Sequence, residues 1–387
     1  MTPRIAIDAR FFGPSGTGPG RYVQRLVEYL ARLPADMAYV LLLSREGAAS
    51  WTPPDRRFSA RLVDAPWYSL AEQVRVPQVL RSIRPDLVHF PHFNVPLGYR
   101  GPFVVTIHDL IITHFATRRA TTLGPLAYAL KQLGYRLVIT QAARRAKRVL
   151  TVSSYSRQEL VHTFHLRPDR ILVTYEAADA ARPEPPAEGS AILQAHRIPS
   201  RFILYVGNTY PHKNLERFLR GYAAYRAAAS QPYPFVLVGR RDYFSRRLEA
   251  YARTLGLADL VHFPGFIADE ELPAFYQGAW WYVFPSLYEG FGLPPLEAMQ
   301  YGLPVLSSDA TCLPEILGDA AVYFSPHSSR AMAEALRRTL HDDRLREDMG
   351  KRGRVWVARY SWERMVRETL HAYRDVLAEL RRGSSRG

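Results

Sequence analysis

Two glutamates eight positions apart, Glu289 and Glu297, lie in the stretch YVFPSLYEGFGLPPLEAMQYG (282–302), with Gly290 and Gly292 between them. Glycines let a backbone come within hydrogen-bonding distance of a ligand. The Pro294–Pro295 pair and Gly302 predict a short helix, with proline at its start and glycine past its end. Such a helix turns unpaired N–H groups and the positive end of its dipole toward the glycine loop, which suits an anion. Carboxylates beside an anion-binding loop are suited to neutral hydroxyls. A ligand with both hydroxyls and phosphate, a sugar nucleotide, fits this pairing.

Other residues could share that chemistry. Lys213 lies in GNTYPHKNL (207–215), a strand-to-helix turn where Asn214 is expected to cap the helix. A lysine there is either a point charge for a diphosphate or a solvated loop residue. The sequence FVVTIHDL (103–110) reads as a buried strand ending in His108–Asp109. Ligands bind at the carboxyl ends of strands in open α/β sheets, although a structural His–Asp pair reads the same way. His89 and His92 flank Pro91 in a similar setting. Near the start, RIAIDA (4–9) leads into FFGPSGTGPG and a helix with Val23, Leu26, Val27, Leu30 and Leu33 at helical spacing. There Gly16, Gly18 and Gly20 make either a phosphate cradle or a tight turn.

The elements that must hold these residues alternate. Strand-like runs at 38–44, 61–65, 86–91 and 103–110 are separated by helical patterns, one of which, 70–83, is expected to kink or start late at Pro77. Residues 180–200 carry Pro183, Pro185, Pro186 and Pro199 and read as a domain linker. A second alternation follows, with strands at 202–208, 235–239, 260–265, 280–284, 304–308 and 320–324, then a long terminal helix. Two doubly wound α/β domains are therefore expected, spanning 1–180 and 181–360, with 361–387 as a helix crossing back to the first.

A chain of 387 residues, 47% hydrophobic and 22% charged, has the profile of a soluble two-domain protein. Its uncharged apolar runs are too short for a transmembrane helix. The opening MTPRIAIDAR leaves no room for a signal peptide, and Cys312, the lone cysteine, fits a reducing cytoplasm. The net charge is +15, and 47 of the 51 basic residues are arginine. Finger spacings and aromatic RNA-binding patterns are missing, so nucleic acid is not the expected partner. An anionic membrane face suits the charge better, and residues 118–148, mixing basic and apolar side chains in helical register, are either a membrane-resting surface or an ordinary packed helix.

Taken together, IDARFF…GTGPGRY (7–22), TIHDL (106–110), TVSSYSRQEL (151–160), YVGN…HKNL (205–215), VHFPGFIADEEL (261–272), PSLYEGFGLPPLEAMQYGLPV (285–305), LPEILGDAA (313–321) and YSWERM (360–365) resemble the retaining glycosyltransferases of family four. The resemblance implies a GT-B fold, two Rossmann-like domains facing each other across a cleft. It also implies transfer of a hexosyl group from a nucleotide diphosphate sugar, GDP-mannose favoured, to a glycan or lipid-linked acceptor, with no metal or other cofactor. Glu289 and Glu297 match the E-x7-E motif, the first on the donor sugar and the second on the ribose. Phe291, Gly292 and Leu293 supply amides to sugar and phosphate. Lys213 matches the diphosphate cation, His108 the histidine that touches the hexose, Gly16 and Gly18 the amino-terminal loop, and Ile267 the nucleobase position. Many members carry an arginine where this chain has Asn208, so His212, Arg240 or Arg241 are candidates to supplement Lys213. The alternatives are an epimerase or phosphorylase of the same fold, which would need no sugar acceptor or would need an inorganic phosphate site, and a non-catalytic sugar nucleotide sensor. A dinucleotide dehydrogenase fits less well, because the first loop lacks a clean G-x-G-x-x-G.

Overall fold

The computed structural model describes residues 2–12, 18–115, 124–182 and 185–384. The chain divides into two compact units. The first comprises residues 1–113, 123–176 and 361–387, and the second comprises 114–122 and 177–360.

In the first unit, β1 (Arg4–Asp8), β2 (Ala38–Leu43), β3 (Phe58–Leu62), β4 (Leu87–Phe90), β5 (Phe103–Thr106), β6 (Arg148–Thr151) and β7 (Ile171–Val173) form one sheet. Its order is β3-β2-β1-β4-β5-β6-β7, and every pairing is parallel. The central strands are short apolar runs because helices cover both faces. Val88, Val105 and Val149 from the sheet pack with Ile139, Ala143 and Leu160 from the helices. The terminal helix Trp362–Ser384 closes this unit. Its Tyr373 hydroxyl meets His89 Nδ1 at 2.6 Å, and its Glu379 pairs with Arg148.

In the second unit, β8 (Phe202–Val206), β9 (Phe235–Val238), β10 (Val261–Gly265), β11 (Ala279–Phe284), β12 (Val305–Ser308) and β13 (Ala321–Phe324) run in the order β10-β9-β8-β11-β12-β13, again all parallel. Helices Leu215–Ala228 and Ser329–Leu340 approach closely at Gly221, where a Cβ would stand 2.7 Å from the Ser329 carbonyl oxygen. Both sheets thus reverse strand order at their middle, between β1 and β4 and between β8 and β11. The carboxyl ends of those strands are where α/β sheets bind ligands.

Several sequence-based expectations change. The strand expected through residue 110 ends at Thr106, so His108 belongs to the following loop. Helix Leu70–Ile83 runs through Pro77 without interruption, capped by Ser69. Within the expected linker, Pro186–Ala195 is helical, because prolines at a helix start cost no hydrogen bond. Of residues 118–148, the helix occupies Pro125–Arg145, 148 opens β6, and 118–123 lie outside the described residues.

Candidate functional site

Within the second unit, Lys213 and Glu289 come together. The Lys213 ammonium donates to Glu289 Oε1 at 2.6 Å, with only 12% and 9% of the two side chains exposed. Lys213 ends a short 3-10 turn, Pro211–Lys213, after β8, and its Nζ also lies 5.2 Å from the Phe284 ring centroid. Glu289 lies in the loop after β11. The two residues thus stand at the carboxyl ends of the strands that flank this sheet's reversal.

The Glu289 loop is held from several directions. Leu287 N donates to the His212 carbonyl at 2.7 Å, joining the two loops through the backbone. Glu289 N donates to Thr311 Oγ1 at 3.1 Å, and the Ser308 hydroxyl donates to the Ser286 carbonyl at 2.6 Å. The buried Cys312 thiol lies 3.3 Å from both the Glu289 and Phe291 carbonyl oxygens. Cys312 is therefore part of the support beneath the loop. Asn214 does not cap its helix with its side chain. It adopts a left-handed conformation and its Nδ2 donates to the Pro285 and Pro326 carbonyls at 3.0 and 2.8 Å, tying the Lys213 turn to the Glu289 loop.

Gly292 has φ +98°, and a Cβ there would meet Leu313 at 3.0 Å, so the turn requires glycine. Helix Leu293–Gln300 follows, with Pro294 and Pro295 in its first turn. Those prolines have no N–H, so the unpaired amides at this helix start are chiefly those of Gly292 and Leu293. The Phe291 side chain is buried, its ring perpendicular to that of Tyr360. Glu297 accepts from the Tyr276 hydroxyl at 2.9 Å, and the Tyr276 ring stacks on Tyr301 at 5.3 Å.

The remaining expected donor residues surround the same sheet edge without joining the ion pair. Asn208 is exposed, its carbonyl accepting from Tyr205 at 2.7 Å. Arg240 is exposed after β9 with its guanidinium over Phe266 at 5.9 Å. Arg241 donates to the Phe263 carbonyl at 2.9 Å. Ile267 buries its side chain, leaving its main chain as the part able to meet a ligand. Burial, then the adjacent Lys213, depresses the His212 pKa to about 4, so its ring is neutral at pH 7.

In the first unit, His108 Nδ1 donates to Glu176 Oε1 at 3.0 Å and Nε2 donates to the Pro91 carbonyl at 2.9 Å. Each ring nitrogen faces an acceptor, which suits the imidazolium. Burial pulls its pKa down, but the hydrogen bond and charge of Glu176, helped by the Pro91 carbonyl and Asp109, outweigh this and raise it. Both N–H groups are therefore already engaged. Gly16 lies outside the described residues. Gly18 opens helix Gly18–Arg32, and nothing lies within 4 Å of where its Cβ would be. The steric demand falls on Gly20, whose Cβ would stand 2.7 Å from the Phe11 carbonyl oxygen. His89 is a core residue, bonded to Thr106 and Tyr373.

A buried cluster at the β1 and β4 strand ends went unread in the sequence. Arg10 Nε and Nη2 donate to Asp8 at 2.8 and 2.7 Å, and Nη2 also donates to Glu72 at 2.8 Å. Glu72 further accepts from the amide of Asn94. Asp8 and Arg10 are two residues apart, but Glu72 is 62 residues from Arg10, and only the fold brings it there.

Residues 192–356 match the family described as Glycosyl transferases group 1, and residues 16–182 match Glycosyltransferase Family 4. The O-antigen chain mannosyltransferase B of Escherichia coli is 32% identical over 79% of this chain and 79% of its own length. The O-antigen chain mannosyltransferase RfbU of Salmonella typhimurium is 26% identical, covering 91% of this chain and 94% of its own. The serotype-specific mannosyltransferase WbdA of Escherichia coli is 31% identical over 60% of this chain, a match spanning 29% of that longer protein. Among solved structures, sucrose-phosphate synthase from Thermosynechococcus elongatus superposes with TM-score 0.77 at 20% identity, over 97% of this chain and 100% of that one. Anabaena HepE in complex with UDP-glucose superposes with TM-score 0.73 at 18% identity, over 96% and 100%.

Proposed function

The chain belongs to the glycosyltransferases of group 1 and family four, with the GT-B fold, and from that premise we propose that it moves a mannosyl group from a nucleotide diphosphate sugar, GDP-mannose favoured, to a glycan or lipid-linked acceptor with retention of configuration. The observation that carries this reading is the Lys213–Glu289 pair, held on a pinned, glycine-turned loop at the strand reversal of the second sheet. The mannosyltransferase relatives support the sugar, and the UDP-glucose bound by HepE supports the class of donor.

In this reading the donor diphosphate draws the Lys213 ammonium away from Glu289. Glu289 then accepts hydrogen bonds from sugar hydroxyls, and Glu297 from the ribose. As the bond from the anomeric carbon to the phosphate oxygen breaks, negative charge grows on the departing diphosphate. Lys213, the Gly292 and Leu293 amides and the helix dipole stabilise it. Arg240 adds positive charge at the same edge in place of the arginine missing at Asn208. The acceptor oxygen bonds to the anomeric carbon on the face that the phosphate leaves, and its proton passes to the departing phosphate oxygen. His108, as imidazolium, exchanges its Pro91 bond for a sugar hydroxyl. In this reading the cationic and amide groups do the electrostatic work on the departing diphosphate that a metal ion would otherwise do.

The acceptor side suits the inner face of the cell membrane in a cytoplasmic enzyme. Leu126, Leu130, Leu133 and Leu137 are exposed along helix Pro125–Arg145, with Lys131 and Arg136 also exposed on that helix. Among the described residues no helix is long and apolar enough to cross a membrane.

A panel of nucleotide sugars tests the reading, with binding followed by thermal shift and transfer to octyl glycosides by chromatography. GDP-mannose giving both the largest shift and an α-linked mannosyl product is the expected result. A β-linked product, or turnover only with donors of another sugar, would overturn retention or the donor respectively.

A further inference from the structure

At the strand reversal of the first sheet, the buried charges beneath the surface end in one uncharged ring. Glu72, 0% exposed on helix Leu70–Ile83, accepts from Arg10 Nη2 at 2.8 Å and from the backbone N–H of Tyr68 at 2.7 Å. Arg10 and the Tyr68 amide can only donate, so Glu72 is held as an acceptor. Its third partner, the Asn94 side chain, must then present its NH2 group. Asn94, 4% exposed, is left with its oxygen toward His92 Nδ1, 2.9 Å away. An amide oxygen can only accept, so Nδ1 carries the proton and Nε2 offers a lone pair. Nε2 has no hydrogen-bond partner among the described residues.

The same glutamate shapes the other wall. Tyr68 has φ +60°, unusual for a residue with a side chain, and its amide is the one bound by Glu72. The ring of Tyr68, a residue 57% exposed, lies steeply inclined to the His92 ring, 6.1 Å away. Phe11, stacked on Trp67 at 3.4 Å, flanks His92 at 5.2 Å. A hydrogen-bond acceptor of fixed direction flanked by aromatic rings matches a sugar ring, which offers hydroxyl donors at its rim and apolar C–H groups on its face.

We propose that His92 and Tyr68 form an acceptor-sugar subsite on the first unit, in which His92 Nε2 accepts a hydrogen bond from a sugar hydroxyl and Glu72 and Asn94 are the positioning residues that fix its direction. This rests on the glycosyltransferase reading and adds where the acceptor sugar is held. Burial, with His108 nearby, depresses the His92 pKa to about 3, so the ring stays neutral and keeps the lone pair. His92 therefore orients the hydroxyl, and the proton still leaves to the phosphate.

Two measurements on the full chain test it. Long-range 15N–1H NMR of the histidine rings at pH 7 should show His92 as the Nδ1–H tautomer, and Asn94→Leu should lose that preference; an Nε2–H ring or an imidazolium in the unsubstituted protein overturns the relay. This arm needs no substrate, so it stands even if the proposed donor chemistry fails. With the donor from the nucleotide sugar panel and a set of octyl mannoside, glucoside, galactoside and N-acetylglucosaminide as acceptor probes, His92→Phe should raise the acceptor KM at least ten-fold, with the donor KM changed less than two-fold. His92→Gln, whose side-chain oxygen still accepts, should recover most of the acceptor affinity. An unchanged acceptor KM, an equal rise in both KM values, or turnover of the donor with transfer to none of the four probes overturns the subsite. Absence of any donor turnover overturns the proposed function instead.

Discussion

The two sheets share one order over six strands, the first sheet adding a seventh, and reverse at equivalent places, yet the chemistry at the two reversals differs. In the second unit a single ion pair, Lys213–Glu289, stands on a loop pinned chiefly through backbone groups, by Asn214, Ser308, Thr311 and Cys312. In the first unit the charges, Asp8, Arg10 and Glu72, lie deeper, and they act outward through Asn94 to a neutral histidine. A lone pair of charges near the surface can open to admit a charged ligand, each partner turning to a piece of it. A satisfied, fully buried triad cannot open at tolerable cost; it can only orient what lies above it. One scaffold thus offers a site suited to a diphosphate and another suited to neutral hydroxyls.

The largest expected effects break the first of these sites. Lys213→Ala should lower transfer by about 10³-fold, the scale for removing a group that meets transition-state charge, and Glu289→Ala, which loses the group that orients the reacting sugar, by at least about 10²-fold, with circular dichroism unchanged. Near-full turnover in either variant would remove that residue from the chemistry.

The second site breaks in stability. Arg10→Met leaves Asp8 and Glu72 buried without their cation, and should cost about 3–5 kcal/mol, read by urea denaturation. A loss under about 1 kcal/mol would mean that the triad behaves as an exposed pair. Its neighbours reinforce the guanidinium: burial lowers the Arg10 pKa, but Asp8 and Glu72 outweigh this and raise it.

A smaller effect is expected at Glu297, whose carboxylate is shared with Tyr276. Glu297→Ala should raise the donor KM about ten-fold, equivalent to about 1.4 kcal/mol, and leave kcat within a factor of about three; a fall in kcat with unchanged KM would place Glu297 at the reacting sugar.

Stability against pH separates the two regions least strongly. Burial depresses the pKa of His89 to about 3 and that of His212 to about 4. An unfolded histidine takes up its proton near pH 6.5, so between there and the folded values the unfolded state binds more protons and stability falls as pH falls. His108 works in the opposite sense: its raised pKa stabilises fully below about 6.5 and is lost as pH rises through the folded value. With His89, His92, His212 and His262, the last also lowered by burial, against His108, the melting temperature should drop between pH 7 and 5, and His89→Gln should flatten the slope. A melting temperature that rises on acidification would contradict the neutral assignments.

How much was legible follows the range of the interactions. Glu289, Gly292 and Glu297 are neighbours in sequence, and Lys213 precedes its helix in a recognisable strand-to-helix turn, so spacing and residue type exposed them. The apolar runs of β4, β5 and β11 were legible because parallel strands are buried on both faces. Prolines at 183–199 read as linker, but Pro185 and Pro186 stand just before and at the start of a helix, where local rules allow either outcome. Asn214 had the right residue type for a cap, yet its tertiary partners Pro285 and Pro326 claimed the side chain. Glu72 carries no local signal, because Arg10, 62 residues away, and Asn94, 22 away, reach it only through the sheet.

In the proposed reaction a nucleoside diphosphate takes the Lys213–Glu289 pair apart by competing for the ammonium. Titration calorimetry of GDP and UDP against the unsubstituted protein and Lys213→Ala measures this directly. The better-bound nucleotide should lose at least ten-fold in affinity in the variant, whereas Glu289→Gln, which frees the ammonium, should bind it as tightly or tighter. Equal affinity in the unsubstituted protein and Lys213→Ala would mean that the diphosphate leaves the ion pair intact.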